Sequence, residues 1–351
     1  MNRDCTDELV ARTRAASASR TPLRIVGGDT KRFLGRPVAG EALEVGLHRG
    51  ILRHDPAELV LTARAGTPMV EVEASLAAHG QRLPFEPPHF GARATLGGTV
   101  ACGLAGPARA WSGPLRDYVL GVRLLTGDGR ELRFGGEVMK NVAGYDVARL
   151  MAGGFGVLGV LLDVSLKLLP VPQYERTLAL ELDEDAALGR LAELSRAVLP
   201  LTAGAWVDGR LYLRFEGSAA TLDDVERRVG GEPLGAALEF WASIREQTHA
   251  FFAGGDPLWR CTLPPLAPSL PVAGPSLIEW NGQQRWYRTT GDDMFRLAAA
   301  AEGFATLFRQ APDGSERFAP LAPSLLRLHQ GLKRVFDPAG VLNPGRMYAE
   351  L

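Results

Sequence analysis

Apolar and polar residues alternate most cleanly between Val160 and Leu168. Val160, Leu162, Val164, Leu166 and Leu168 fall on one face, and Asp163, Ser165 and Lys167 on the other. That period of two predicts a strand, which Pro170 ends. Residues 23–26 form a shorter apolar strand running into Gly27-Gly28-Asp29-Thr30-Lys31, and residues 58–62 form another. Thr67-Pro68 reads as an N-cap and first helical position, opening a helix to about His79 with Gly80 as its stop. Residues 119–126 and 130–134, joined by Gly127-Asp128-Gly129, predict a hairpin. Beyond Pro170 and Pro172 glycine thins out and the units lengthen. There the pattern gives a strand over 178–182, a helix over 185–198, and hairpins turning at Asp208-Gly209 and Asn281-Gly282. A helical run covers 323–335. The layer solution that fits is a sheet with helices on one face.

A length of 351 residues suits two domains rather than one core. An apolar share of 46% with 23% charged residues is that of a soluble globular protein. The net charge of −1 provides no field for nucleic acid or an anionic membrane surface. Cys5, Cys102 and Cys261 have neither metal-site nor disulfide spacing. An iron–sulfur cluster usually takes four cysteines, so this chain is not expected to carry one alone. With no apolar run of about 18 residues and no signal-peptide pattern, no membrane span is expected. The expected location is cytoplasmic, with any membrane association made through partners.

Three glycine-rich stretches are the candidate chemistry. In Gly27-Gly28-Asp29-Thr30-Lys31, two glycines after a strand let consecutive N–H groups converge on phosphate oxygens; a plain strand-ending turn reads the same way. Small residues from Gly97 to Gly106, after Pro87-Pro88-His89-Phe90-Gly91 and Thr95-Leu96, suit either a backbone pressed against a flat ligand or close helix packing. Gly154-Phe155-Gly156-Val157-Leu158-Gly159 matches G-x-G-x-x-G, but a helical segment (146–151) precedes it and the best strand follows. That inverts the order a dinucleotide-binding turn needs, so a Rossmann site is rejected there.

Taken in order, three segments resemble the FAD-binding domain of the vanillyl-alcohol-oxidase, or PCMH-type, family. They are Ile25-Val26-Gly27-Gly28-Asp29-Thr30, Ala94-Thr95-Leu96-Gly97-Gly98, and Lys140-Asn141-Val142-Ala143-Gly144-Tyr145-Asp146 with 150–160. Residues 85–169 are similar to the FAD-binding subunits of bacterial glycolate oxidases, and Phe336-Asp337-Pro338-Ala339-Gly340-Val341-Leu342-Asn343-Pro344-Gly345 resembles the family's closing motif. The resemblance implies an α+β protein. A PCMH-type FAD-binding domain of two subdomains (1–170) is followed by an α/β cap domain (171–320) and a C-terminal segment (321–351) returning to the flavin. It implies that Gly27, Gly28, Asp29, Thr30 and Lys31 hold the pyrophosphate. Pro88, His89, Thr95, Leu96, Gly97, Gly98 and Ala101 line the flavin and ribityl chain. Gly153, Gly156, Gly159 and Val160 pack on the adenine side, and Asn343 comes near the isoalloxazine.

Asp29-Thr30 stands where relatives that attach flavin covalently have a histidine, which implies non-covalent FAD. Gly154, Phe155 and Val157 replace the Ser, Glu and Thr of catalytic relatives. None of His48, His54, His79, His89, His249 and His329 sits in the His-Gly-Asp-Gly-type motif of relatives that oxidise 2-hydroxy acids. No metal site is expected. His89 is the candidate base for the hydroxyl proton, or only a hydrogen-bonding partner of the cofactor. Arg32 and Lys140 are candidate anion contacts, with a plain solvated charge the commoner explanation for either. The leading reading is an FAD-binding subunit of a glycolate dehydrogenase or oxidase, acting on a small 2-hydroxy acid. Its expected partners are a second, catalytic FAD-binding subunit and an iron–sulfur subunit. The alternative is a non-catalytic flavin-fold subunit that completes the assembly. A nucleotide-sugar reductase on the same fold is a third, weaker reading, lacking an assignable serine or NADPH contact.

Overall fold

The computed structural model describes residues 2–136, 145–291, 293–312 and 314–351. Among the described residues the first half holds three sheets, the smallest pairing Gln81–Arg82 with Leu169–Pro170. Leu23–Val26 pairs in parallel with Glu41–Glu44. A five-stranded antiparallel sheet runs Ile51–Asp55, Val60–Arg64, Val160–Lys167, Val119–Leu125, Glu131–Gly135. The period-two segment is its central strand, so both of its faces are covered. Two of its polar residues are therefore partnered rather than solvated: Asp163 takes the Arg123 guanidinium at 2.6 Å, and the Ser165 hydroxyl bonds Thr62 at 2.8 Å. The helices Met69–Ala77 and Leu96–Cys102 bury Val72, Leu76, Leu96 and Val100 in one core with this sheet.

The Thr67-Pro68 expectation shifts by one residue. The helix begins at Met69, with Pro68 at its cap position. Thr67 instead accepts the Gly50 amide at 2.9 Å, tying the helix entry to the neighbouring strand. The N-terminal helix Thr6–Ser19, absent from the sequence reading, lays Leu9, Thr13 and Ala16 against the same core.

The second half is an eight-stranded antiparallel sheet: Glu232–Pro233, Tyr174–Glu181, Arg210–Gly217, Leu201–Val207, Ser276–Glu279, Gln284–Arg288, Leu258–Thr262, Phe304–Arg309. Both hairpins form where the Asp-Gly and Asn-Gly dipeptides stand. Helices Glu184–Leu194 and Ala219–Val229 pack on Leu211, Leu213 and Phe215. The one-face arrangement does not hold, because helix Ala237–Arg245 packs Trp241 on Ala203 and Ala205, on the opposite side of the sheet. That side meets the first half of the chain, where Arg214 bonds Glu86 at 2.6 Å.

After the last strand the helix Pro323–Phe336 leads the chain back. Leu23 donates to the Val341 carbonyl at 2.7 Å, and Asn343 to the Leu23 carbonyl at 2.9 Å, so the C-terminal segment extends the two-stranded sheet. Among the described residues no helix is long and apolar enough to cross a membrane.

Candidate functional site

A cleft of about 360 Å³ opens where the three glycine loops and the C-terminal segment converge. Its volume lies within the roughly 300–1,000 Å³ of small-molecule sites. Close backbone approach explains the glycines. A Cβ on Gly28 would sit 1.5 Å from the Arg93 carbonyl oxygen, one on Gly97 would sit 2.6 Å from Ala65 Cβ, and one on Gly27 would sit 2.4 Å from Thr95 Oγ1. These residues are small because protein already fills the space where a side chain would go. The first two loops are thereby locked to one another.

Thr95 caps the short helix Leu96–Cys102, its hydroxyl accepting the Gly98 amide at 3.3 Å, and Gly103 ends it in the left-handed region. The third loop hangs on that helix. Gly153 donates to Val100 at 3.0 Å and Phe155 to Ala101 at 2.8 Å. Asn343 closes the ring of contacts: its Oδ1 accepts the Ile25 amide and its Nδ2 donates to the Phe155 carbonyl.

The lining is electropositive. Arg24, Lys31, Arg32, Arg317 and Arg346 reach it, and Asp29 is the one acid among its described residues. Arg24 and Arg32 each stand 3.7 Å from Asp29. Arg346 is held by the carbonyl of Arg36 at 2.8 Å, and burial lowers its pKa. Lys31 is buried, donates to the His89 carbonyl at 3.2 Å, and has its pKa lowered by desolvation. Two cations in such a lining favour an occupant that brings negative charge. Sequence reasoning missed Arg24, Arg317 and Arg346, because lone arginines far apart in the chain carry no motif.

Of the residues expected at the site, Gly27, Gly28, Asp29, Thr30, Lys31, Thr95, Gly97, Gly98, Ala101, Gly156, Gly159 and Asn343 line this cleft, together with Gly154 and Phe155. Leu96 and Val160 lie behind it in the core. Gly153 stands just before the lining, and Pro88 borders a second, smaller cavity. His89 also lies off the lining: its Nε2 is 3.0 Å from Glu73 Oε1, and its main-chain amide donates to Glu246 at 3.0 Å. No described histidine lines the cleft. Lys140, Asn141, Val142, Ala143 and Gly144 lie outside the described residues.

Comparison with known proteins bears on this geometry directly. The family model "FAD binding domain" matches residues 4–135. Glycolate oxidase subunit GlcE of Escherichia coli (strain K12) is 49% identical over 355 residues, covering the whole of both chains. Glycolate oxidase subunit GlcD of Bacillus subtilis (strain 168) is 30% identical over 201 residues, which is 56% of this chain and 43% of that one. Among solved structures, an alkyldihydroxyacetonephosphate synthase superposes with a TM-score of 0.68 at 16% identity, over 96% of this chain and 74% of the other. That likeness is one of fold.

Proposed function

The chain belongs to the glycolate oxidase subunit GlcE family of FAD-binding proteins, and from that premise we propose that it is the FAD-holding subunit of a 2-hydroxy-acid dehydrogenase acting on glycolate. The observation that carries the reading is the convergence of three glycine loops, Asn343 and Arg346 on one electropositive cleft. FAD, when bound, supplies a two-electron acceptor. The chain's own part is to bind and orient it. In this reading Gly27–Lys31 hold the pyrophosphate with Arg24, Arg32 and Arg346 nearby. Thr95, Gly97, Gly98 and Ala101 line the flavin and ribityl chain. Gly156 and Gly159 pack on the adenine side, supported from behind by Gly153 and Val160, and Asn343 fixes the loops around the ring. Attachment is non-covalent, since Asp29 and Thr30 follow the glycine pair.

Electrons leave through other chains: a paired catalytic flavoprotein, of the kind the GlcD likeness suggests, and an iron–sulfur subunit. One observation favours the second reading, a flavin-fold subunit that supports the chemistry of that pair without performing it. His89 is engaged by Glu73 away from the lining, so the cleft has no histidine to take the hydroxyl proton.

Stopped-flow mixing of the FAD-loaded chain with glycolate, alone and after co-purification with its partners, tests both readings. Bleaching only in the complex fits the proposal. Rapid saturable bleaching of the lone chain would make it a dehydrogenase in its own right, and flavin-free protein in every preparation would remove the cofactor assignment. Acid precipitation should leave the yellow colour in the supernatant.

A further inference from the structure

Glu246 ends helix Ala237–Arg245, in the half of the chain that forms the eight-stranded sheet, and its carboxylate meets the 88–91 loop. Oε2 accepts the His89 amide at 3.0 Å and the Phe90 amide at 2.9 Å, while Oε1 accepts from Arg245 Nε at 3.0 Å. Two successive N–H groups make the kind of concavity that takes an anion. Here the chain supplies the anion itself.

The peptide that joins His89 to Phe90 is engaged on both sides. Its N–H donates to Glu246, and its carbonyl accepts from Lys31 Nζ at 3.2 Å. An ammonium at the oxygen and a carboxylate at the hydrogen favour the same orientation of the peptide dipole. The reversed peptide would set its oxygen against the carboxylate and its N–H against the ammonium. Phe90 sits at φ +53°, a conformation that a bulky residue rarely adopts and that its surroundings must hold. Glu246 supplies that hold.

Lys31 is 7% exposed and lines the flavin cleft. An ammonium has three N–H donors, and among the described residues the His89 carbonyl is its hydrogen-bonding partner. Two donors are left for an anion in the cleft. Desolvation lowers the Lys31 pKa, and the Glu246 charge is among those opposing the shift. A second path runs beside the first. Gln247 Oε1 accepts from Arg309 Nε at 2.9 Å, and the Arg309 guanidinium lies 3.9 Å from the Phe33 ring centroid and 4.7 Å from that of Phe90. Phe33 lines the cleft. The end of one helix therefore reaches the cleft wall through both backbone and rings.

We propose that Glu246 is a positioning residue for FAD: acting through the His89–Phe90 peptide, it fixes the point at which Lys31 meets the pyrophosphate. The inference rests on the reading of the cleft as the FAD site given above. It makes flavin retention depend on a residue well outside the stretch 4–135 that matches the FAD-binding family. Binding and docking are then linked, so FAD tightens the contact between the two halves of the chain as that contact tightens FAD.

Titration of the flavin-free chain with FAD, followed by flavin fluorescence in a double-mutant cycle, tests this. Glu246→Ala should weaken FAD binding roughly tenfold, the worth of a hydrogen bond to a charged group. Glu246→Gln, which keeps an acceptor for the amides without the charge, should recover part of the loss. Lys31→Met should weaken FAD at least as much as Glu246→Ala. In the Lys31→Met background, Glu246→Ala should cost less than about twofold in FAD affinity while still lowering the Tm of the flavin-free protein. A role confined to folding gives the same tenfold loss in both backgrounds. That result, or unchanged FAD affinity in folded Glu246→Ala, overturns the proposal. If Glu246→Ala does not fold, the same cycle with Glu246→Gln decides, with a roughly threefold loss expected in the parent and none in the Lys31→Met background. A parent that takes up no FAD removes the cleft reading and the proposal with it; a parent that binds FAD, with additive changes, overturns the proposal alone.

Discussion

Asn343 joins the two ends of the chain through Ile25, whose amide donates to Asn343 Oδ1 at 2.8 Å across 318 residues of sequence. The same side chain donates from Nδ2 to the Phe155 carbonyl at 2.7 Å. One amide thus satisfies a strand end and a glycine loop with opposite polarity. Asn343→Ala leaves both backbone groups unmatched and should lower stability by about 1–3 kcal/mol. Asn343→Asp should be no better, because a carboxylate replaces the donor facing Phe155. Both variants should retain less flavin. Urea unfolding with flavin absorbance checks this, and an Asn343→Asp protein with unchanged Tm and flavin content would show that the clamp is dispensable.

Glycine substitutions should separate folding from binding. Gly28→Ala places a Cβ 1.5 Å from the Arg93 carbonyl oxygen, so the flavin-free protein itself should be destabilised. Gly154→Ala meets nothing closer than 3.4 Å and Gly154 lines the cleft, so the fold should survive while FAD affinity falls. Thermal melts of both flavin-free variants, beside FAD titrations, distinguish the cases. Equal Tm for Gly28→Ala and the parent would contradict the packing argument.

The eight-stranded sheet is latched to the first half of the chain by charge. Glu86 Oε1 accepts from Arg214 Nη2 at 2.6 Å, and Arg82 forks onto Glu216 with its nearer contact at 2.5 Å. The Arg214 side chain is 5% exposed, so deleting Glu86 leaves a nearly buried guanidinium with carboxylates only at 3.9 Å. Glu86→Ala should cost about 3–5 kcal/mol. A double-mutant cycle with Arg214→Met should return most of that loss, and strict additivity of the two changes would refute the latch.

How much of this was legible in the sequence depended on whether the signal was local. The 160–168 strand, the Asp208-Gly209 and Asn281-Gly282 hairpins and the glycine loops were readable, because alternation and turn chemistry lie within a few residues. Helix Thr6–Ser19 was not, because its buried stripe is only Leu9, Thr13 and Ala16. The expectation that Gly28 and Gly97 touch a cofactor pointed to loops that do line one cleft, but Arg93 and Ala65 by themselves already forbid a side chain at both positions. Arg346 and Arg260 carry no motif; only folding brings the first beside Lys31 and the second beside Glu279. His89 drew attention by its neighbours in sequence, yet its partner is Glu73, sixteen residues away and on another element.

Glu279 makes the stability of the fold depend on pH. Its carboxyl titrates near 4.5 when unfolded and at about 7 in the folded protein, with burial as the leading cause. A raised folded-state pKa means that the unfolded chain releases its proton first. The protonated group's contribution is therefore complete below pH 4.5 and is lost as pH rises towards 7, above which the loss is constant. A shift of this size corresponds to about 3 kcal/mol. Glu279→Gln keeps an acceptor for Trp286 and Gln284 without the ionisation, so its stability relative to the parent should climb between pH 4.5 and 7 and then level. Arg260→Met should move the window to higher pH, because the Arg260 charge works against burial in setting that carboxyl. Paired urea titrations across pH 4 to 9 measure it; a parent-minus-variant difference that is flat with pH would mean that Glu279 ionises as freely in the fold as outside it.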